Sequence, residues 1–237
     1  DKCYVVGDNN WHYGPYCVLR VYDTTDLDGG SIVGEVDVDG IAGCMDAYGD
    51  NVVVGLDSGH VIVYDMTDPA TPTVVSTTAT SSAPVDMSLQ GNVLYVLCDN
   101  GMLNVVDVIA PNSPAIIGDL QVTGDPGAIS VYGAGVYVCT STGVAIVDAT
   151  VPNAPYMASM IDGVGYRGKA DIKDQYLYLA NSHTGLEVYD CSDMSSPVLL
   201  GSIVTGVVGA AGVSEDGGYG YVLDPYKGGS NSRCDGC

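Results

Sequence analysis

Three histidines are the residues of this chain best suited to bind a transition metal. His12, His60 and His183 each fall between two short apolar runs, so they share one face if those runs are strands of neighbouring sheets. Imidazole is a common ligand of copper and zinc. Loops of neighbouring sheets stand about 10 Å apart, however, whereas metal–nitrogen bonds measure about 2 Å. Two interpretations stay open: solvated loop histidines, and a transition metal bridging two subunits.

Two acidic clusters offer oxygen ligands for a hard cation. They are Asp23, Asp26 and Asp28 in a glycine-rich turn, and Glu35, Asp37 and Asp39 before Gly40. Calcium takes about six to eight oxygen ligands from flexible loops, so calcium is the metal predicted for either cluster. The alternation in the second cluster is equally typical of the solvated face of a strand.

Eight cysteines, an even number, limit the possible disulfides. Cys234 and Cys237 form a CxxC pair in a Gly/Ser-rich tail. Three pairings stay open for them: a local disulfide, a latch to Cys3 or Cys17, and a link to another subunit. Cys3 and Cys17 open the two strands of one hairpin. They should therefore lie at opposite ends, about 15 Å apart, too far for a direct disulfide.

The motifs typical of enzymes are missing or out of context. A GxGxxG string at 163–168 is followed by no helical pattern, so it is predicted to be a turn. No nucleophile elbow or Ser-His-Asp order occurs in a fitting context. Asp46, Asp86 and Asp171 fall at similar places in three repeats and are candidates for an acidic ring in a central channel. We predict a non-enzymatic protein without a catalytic residue and with calcium as its candidate cofactor.

The charge balance limits the classes of partner that this protein can bind. The chain has 237 residues, 29 acidic against seven basic, and a net charge of −22. Such a surface repels phosphate backbones and anionic lipid, so nucleic acid is a poor partner. No apolar run approaches the roughly 20 residues of a membrane span, so no membrane insertion is predicted. The even cysteine count, the scarcity of lysine and a start at Asp1 rather than Met favour an extracellular or cell-surface product whose signal peptide has been removed.

One pattern repeats five times and sets the architecture. An apolar run ends in an aspartate, and successive aspartates are 42, 42, 41 and 42 residues apart. The aspartates are Asp23, Asp65, Asp107, Asp148 and Asp190. Proline marks most of the turns that follow. Eleven positions after each aspartate stands a small residue: Gly34, Ser76, Gly118, Ser159 and Gly201. The small residue is expected to leave room for a neighbouring sheet or turn.

Each repeat predicts four short strands, which we call a, b, c and d. Residues 85–121 contain four β-branched runs of five or six residues separated by Gly/Asn and proline turns. This is typical of an antiparallel meander. A four-stranded sheet repeated every 40 to 45 residues or so is the blade of a β-propeller. The fold class predicted is therefore all-β, a propeller of four-stranded antiparallel blades.

The repeats resemble those of the LVIVD-repeat propeller family. The matching stretches are residues 61–72 (VIVYDMTDPATP), 145–155 (AIVDATVPNAP) and 185–190 (GLEVYD), and the resemblance covers roughly residues 16–205. It implies the propeller fold and a role in secreted or surface proteins. The first repeat departs most from the family pattern, because residues 27–30 (LDGG) replace the two prolines.

The ends of the chain raise the question of how the ring closes. We predict one propeller domain over residues 1–226, closed by its terminal strands, and a Gly/Ser/Cys tail over 227–237. Five blades are preferred, with six, one of them incomplete, as the alternative. Two segments compete for position b of the first blade. The N-terminal segment contains Cys3, Tyr4, Val5 and Val6, and the C-terminal segment contains Tyr219, Tyr221, Val222 and Leu223. One of them is either a spare strand or is donated to another molecule.

These observations predict a secreted or cell-surface propeller that acts as a structural or interaction module. Its partners are other copies of itself or another surface protein, and exchange of a terminal strand would build an extracellular filament or sheath. The alternative function is a metal- or ligand-binding propeller, with calcium on the acidic loops or copper or zinc on histidines at a subunit interface.

Overall fold

A computed structural model describes residues 2–8, 17–25, 31–163, 170–181, 185–203, 212–216 and 219–223. Every regular element in these ranges is a β-strand. Within them there is no helix with the length and apolar character needed to cross a membrane.

The first of two units, Asp1–Leu120, holds three antiparallel sheets. The first sheet comprises β1 (Lys2–Asp8), β2 (Cys17–Asp23) and β3 (Ile32–Val38). The second comprises β4 (Ala42–Tyr48), β5 (Asn51–Leu56), β6 (His60–Asp65) and β7 (Thr73–Ala79). The third comprises β8 (Pro84–Gln90), β9 (Val93–Cys98), β10 (Met102–Asp107) and β11 (Ala115–Gln121), whose last residue passes the boundary of the unit.

The second unit, Gln121–Cys237, holds the remaining sheets. The fourth sheet comprises β12 (Pro126–Tyr132), β13 (Gly135–Thr140), β14 (Gly143–Asp148) and β15 (Tyr156–Asp162). The fifth comprises β16 (Ala170–Lys173), β17 (Tyr176–Asn181), β18 (Gly185–Asp190) and β19 (Val198–Ile203). The sixth is a hairpin of β20 (Gly212–Asp216) and β21 (Tyr219–Leu223).

The order of the strands confirms the predicted meander. In sheets two to five, strands a, b, c and d follow one another in space as they do in the chain, and all pairs are antiparallel. Strand d always lies at an edge. The fold is thus the predicted all-β propeller, with four four-stranded sheets and a first sheet of three strands.

The edge strands share a bulge. One residue of strand d is left without a partner opposite strand c, and this residue is Val33, Val75, Ala158 or Leu200 in β3, β7, β15 or β19. A bulge twists an edge strand and discourages further strands from pairing with it.

The core of each unit lies between consecutive sheets. Leu19 and Val21 of the first sheet pack with Val52 and Tyr64 of the second. Equivalent clusters join the second sheet to the third and the fourth to the fifth. Strands b and c are covered on both faces, so they read as continuous apolar runs instead of alternating ones.

The terminal strands belong to two sheets. β20 pairs with β21 in a two-stranded sheet. β1 takes position b of the first sheet, in register with β2 from Lys2 opposite Asp23 to Asp8 opposite Cys17. Closure of a ring by the terminal strands within one domain stays a prediction.

Candidate interaction site on the edge strands

Strand d of one sheet touches the turn after strand c of the next, and we call this the sheet-to-turn contact. The Ser76 hydroxyl donates to the Pro111 carbonyl oxygen at 2.6 Å, and the Ser159 hydroxyl donates to the Met194 carbonyl oxygen at 2.6 Å. Gly34 stands at the same position, and a Cβ there would overlap the carbonyl oxygen of Pro69. The expectation that a small residue leaves room for a neighbouring turn is confirmed at these positions.

The five repeat aspartates hold those turns in shape. In each case Oδ1 accepts a bond from the backbone N–H two residues on, over 2.7 to 2.9 Å. In Asp23 and Asp65 the same oxygen also accepts from a threonine hydroxyl. Hydrogen bonds to the ionised form lower the pKa of a carboxyl group, and the pKa values of Asp23, Asp65, Asp148 and Asp190 lie below their ordinary value for this reason. These side chains therefore have a structural role in the turns.

The edge of the fifth sheet differs from the others. Leu200 of β19 is 57% exposed, whereas its counterparts Val33, Val75, Ile117 and Ala158 are half-buried. Among the residues that the structure describes, no heavy atom lies within 4 Å of the place where a Cβ of Gly201 would stand. With Val198 and Leu199, which are 57% and 50% exposed, Leu200 forms an uncovered apolar strip that we call the β19 strip. The sequence signals this strip only by three consecutive large apolar residues at the start of strand d.

The predicted assembly strands lie in β1 and β21. Tyr4 and Val6 are half-buried and pack against the core between the first two sheets, whereas Cys3 and Val5 are exposed. Tyr219, Tyr221, Val222 and Leu223 lie in β21, which is described only by its backbone pairing with β20. Both segments therefore form real strands, as their sequences predict.

Only part of the predicted metal-binding sets lies in the described residues. Among those residues, no three His, Cys, Asp or Glu side chains gather into a group that could hold a metal ion. His60 opens β6, and its Nδ1 lies 3.1 Å from the Ser58 carbonyl oxygen. His12, His183, Asp26 and Asp28 lie outside the described residues. The predictions of an interfacial metal and of calcium in the first turn stay predictions.

The second acidic cluster follows the solvated face of β3. Glu35 pairs with Arg20 of β2 at 3.3 Å, and Asp37 is exposed two residues further along the strand. Asp39 lies near Tyr64, where burial chiefly, and the charge of Asp39 in addition, raise the tyrosine pKa to about 12. Among the described residues, these three carboxylates do not gather into one group that could hold a metal ion. Calcium binding by them stays a prediction.

The three aspartates proposed for an acidic ring do not hold the same place in their strands. Asp46 pairs with Val53, and Asp171 pairs with Tyr178; each aspartate stands two residues before the end of its strand a. Asp86 pairs with Leu97 and stands four residues before the end of its strand a. The prediction that the three are equivalent is therefore wrong. Asp46 instead accepts a bond from the backbone N–H of Leu89 in the next sheet at 2.8 Å.

The register of β1 and β2 confirms that Cys3 and Cys17 stand at opposite ends of one hairpin, since Cys3 faces Tyr22 and Cys17 faces Asp8. Cys3 is exposed and Cys17 is buried. Cys234 and Cys237 lie outside the described residues, so the latch stays a prediction.

Comparison with known proteins supports the fold. The LVIVD repeat matches residues 84–122 and 165–205, which contain the third and fifth sheets, and this confirms the predicted resemblance there. No curated protein sequence matches the chain.

Solved structures resemble it more widely. A functionally unknown protein from Desulfotomaculum acetoxidans has a TM-score of 0.73 at 15% identity, over 87% of this chain and 69% of that one. The computationally designed protein Ika8 has a TM-score of 0.67 at 13% identity, over 90% and 66%. BamB from Moraxella catarrhalis has a TM-score of 0.59 at 17% identity, over 84% and 62%. This chain therefore spans about two thirds of the length of these structures, and at such identities the likeness concerns the fold alone.

Proposed function

We propose that this propeller with LVIVD repeats is a non-enzymatic interaction module of the cell surface or the secreted fraction, and that it assembles with copies of itself by exchanging a terminal strand. The observation that carries the proposal is the number of strands at the two ends. β20 and β21 would supply positions a and b of a blade, and β1, β2 and β3 supply b, c and d. Two strands thus compete for one position b.

The exchange consists of β21 of one copy pairing beside β2 of the next, in the place of β1. The two competing segments are similar: β1 contains Tyr4 and Val5 and ends at Asp8, whereas β21 contains Tyr221 and Val222 and is followed by Asp224. Addition of a strand to a sheet gains main-chain hydrogen bonds, with side chains on alternate positions giving specificity. Because the contact joins different surfaces of two copies, it propagates into a filament instead of closing as a dimer.

The charge of the chain fits a surface module better than a nucleic-acid-binding one. At a net charge of −22, copies repel one another over long range at low salt. Salt screens this repulsion, and the Debye length is about 8 Å at physiological ionic strength. Assembly is therefore expected to strengthen as salt is raised. Export is tested separately by fractionating the source cells, and we expect the protein outside the cytoplasm.

Truncation tests the exchange directly. Removal of residues 219–237 takes away β21 and should leave a folded monomer, because β1 still completes the first sheet. The matched control removes residues 228–237 only, which deletes the CxxC tail and keeps β21. We expect the control to form filaments by electron microscopy and the longer truncation to form none.

A third variant, lacking residues 1–8, distinguishes exchange from simple stacking. Without β1, position b is open and assembly should be at least as efficient as in the full chain. Filaments that persist without residues 219–237 would show that β21 is not the exchanged strand. Circular dichroism confirms that each variant is folded.

A further inference from the structure

We infer that three sulfur atoms between the second and third sheets form a binding site for a soft monovalent metal ion, and that the ion is copper(I). The ligands are the thiol groups of Cys44 and Cys98, bound as thiolates, and the thioether of Met87. All three residues lie in the first unit. The inference is independent of the proposed strand exchange, and it differs from the imidazole and carboxylate sites that the sequence predicts.

The three side chains lie in one buried apolar cluster. Cys44 is 9% exposed, Met87 5% and Cys98 0%, and all three belong to the core between the second and third sheets. Gly55 marks the point at which two of them meet. A Cβ on Gly55 would stand 2.7 Å from Cys44 Sγ and 2.9 Å from Met87 Cε. The thiol and the end of the thioether chain therefore approach one point from two different sheets.

Cys98 lies beside the same point. It pairs through the backbone with Pro84, whose Cβ lies 2.8 Å from the Cβ position of Gly55. Its Sγ lies 3.5 Å from Asn104 Oδ1, a hydrogen bond that holds the thiol in the buried core. The backbone pairing thus brings Cys98 next to the place where the other two sulfur-containing side chains meet.

The sulfur ligands are not a feature of the repeat. The strand-a residue that pairs with the fifth residue of strand b differs among the second, third and fourth sheets, where it is Cys44, Asp86 and Ala128. The sixth residue of strand b differs as well, and in the same three sheets it is Leu56, Cys98 and Thr140. Gly55 departs together with Cys44, because a side chain at its position would collide with the thiol. Several departures from the repeat therefore accumulate around one point between two sheets.

The kind of ligand and the surroundings select the metal. Thiolate and thioether sulfur favour copper(I), whereas calcium requires oxygen ligands. Zinc in structural sites takes four ligands, and this set supplies three. The side chains around the three sulfur atoms are apolar, which favours a monovalent ion over a divalent one. Copper(I) satisfies each of these conditions.

Binding has to displace protons from the thiols. Burial chiefly, and the charges of Asp86 and Cys98 in addition, raise the pKa of Cys44 to about 12. Burial chiefly raises the pKa of Cys98 as well. The two thiols are thus close enough to interact electrostatically, and both are protonated at neutral pH. A copper(I) ion that forms one bond to each thiolate releases one proton from each thiol, and no electron is transferred.

Titration with copper(I) tests the site. The full-length chain for this experiment carries Cys3→Ser, Cys234→Ser and Cys237→Ser, so that thiols near the chain ends do not bind copper. Copper(I) is supplied under nitrogen as its bicinchoninate complex, and competition with this complex gives the stoichiometry and the Kd. We expect one copper ion per chain, two protons released per ion, and X-ray absorption at the copper edge that shows only sulfur neighbours.

Three variants, made in this chain, test the ligands one at a time. Cys44→Ala introduces the residue that the fourth sheet has at this position, Ala128. In Cys98→Ser the hydroxyl can still donate to Asn104 Oδ1. We expect loss of either thiol to weaken binding at least about a hundredfold, and Met87→Leu to weaken it about tenfold. Urea denaturation without copper shows whether each variant is folded.

The matched controls are Met45→Leu and Cys139→Ala. Met45 holds the place of Met87 in the second sheet, since it pairs with Val54 as Met87 pairs with Val96. Cys139 is 1% exposed in the core between the fourth and fifth sheets, so it matches the burial of the proposed ligands. Neither control should change the Kd for copper(I).

Three results would show that the site is wrong. The first is a Kd that Cys44→Ala and Cys98→Ser leave unchanged. The second is an equal loss of affinity in Cys139→Ala, because binding would then not depend on the sulfur atoms of the first unit. The third is a disulfide between Cys44 and Cys98 in protein isolated from its source, because no thiolate would remain for the metal. None of these results bears on filament formation, so the proposed strand exchange is tested separately.

Discussion

The hydroxyl of Ser76 donates to the carbonyl oxygen of Pro111 at 2.6 Å, and this single bond joins the edge strand of one sheet to the turn of the next. Ser159 and Met194 repeat the relationship, again 35 residues apart in the chain. Where glycine replaces serine, as at Gly34, the turn comes closer and the hydroxyl is not needed. This position therefore accepts either a serine that donates a hydrogen bond to the turn or a glycine against which the turn packs directly.

A methyl group at Gly34 should be costly, whereas one at Gly201 should not. Gly34→Ala places its Cβ against the backbone of Pro69 and Ala70, which cannot move as a flexible side chain would. Overpacking of this kind destabilises a protein by about 1–3 kcal/mol. Gly201→Ala meets open space and should change the free energy of unfolding of dilute monomer by less than about 0.5 kcal/mol. Urea denaturation of both variants measures the difference, and equal losses would contradict the described packing.

The turn aspartates should make stability depend on pH. Hydrogen bonds from the hydroxyl and backbone N–H of Thr67 hold the pKa of Asp65 below its ordinary value of 3.8. Because the folded pKa is lower than the unfolded one, the stabilisation is complete above the unfolded pKa and is lost as the pH falls through the folded pKa. Asp65→Asn should therefore lower Tm at pH 7, and the difference from the unsubstituted chain should shrink below about pH 4.

The control for this pH dependence is Asp119→Asn, which removes one exposed carboxylate from β11 and so matches the change in net charge. Its Tm difference should be smaller at pH 7 than that of Asp65→Asn. A difference for Asp65→Asn that grows on acidification would have the wrong sign for a stabilising carboxylate.

The buried thiols should resist alkylation in the folded protein. Burial chiefly, and the nearby charge of Asp86 in addition, raise the pKa of Cys44 to about 12, and burial raises that of Cys191 to about 11. At pH 8 the reactive thiolate of such groups is about one part in a thousand or less. Iodoacetamide followed by mass spectrometry should label exposed Cys3 and leave both buried thiols unlabelled until urea is added. Equal labelling rates for Cys3 and Cys44 would show that the first unit opens readily.

Calcium is expected to raise Tm if the turn after Asp23 binds it. A ligand that binds only the folded state at 100 times its Kd adds about 2.7 kcal/mol to the free energy of unfolding. Sodium chloride at the same ionic strength controls for screening of the net charge. Asp28→Asn should remove the excess effect of calcium, whereas Glu35→Gln should not, because Glu35 already pairs with Arg20. Equal Tm in calcium and sodium would exclude this site.

Much of the fold could be read from local sequence because local chemistry sets it. Asp65 binds the backbone N–H of Thr67 within one turn, and the same short-range interaction recurs at each repeat aspartate. β-branched runs bounded by such turns leave the chain few alternatives to an antiparallel meander. The number and order of strands, their direction, and the place of strand d at an edge all follow from interactions between near neighbours in the chain.

Only the tertiary structure decided what lies beside each strand. Asp46 and Asp86 occupy similar places in their repeats. Backbone pairing, however, puts Asp46 two residues before the end of its strand and Asp86 four residues before the end of its strand. Two segments match position b of the first blade in sequence, and the backbone pairing places β1 beside β2 and β21 beside β20. Leu200 is as apolar as Val75, yet Leu200 is 57% exposed whereas Val75 is half-buried. These features depend on contacts between residues far apart in the chain, and no local pattern encodes which distant surface fills a given position.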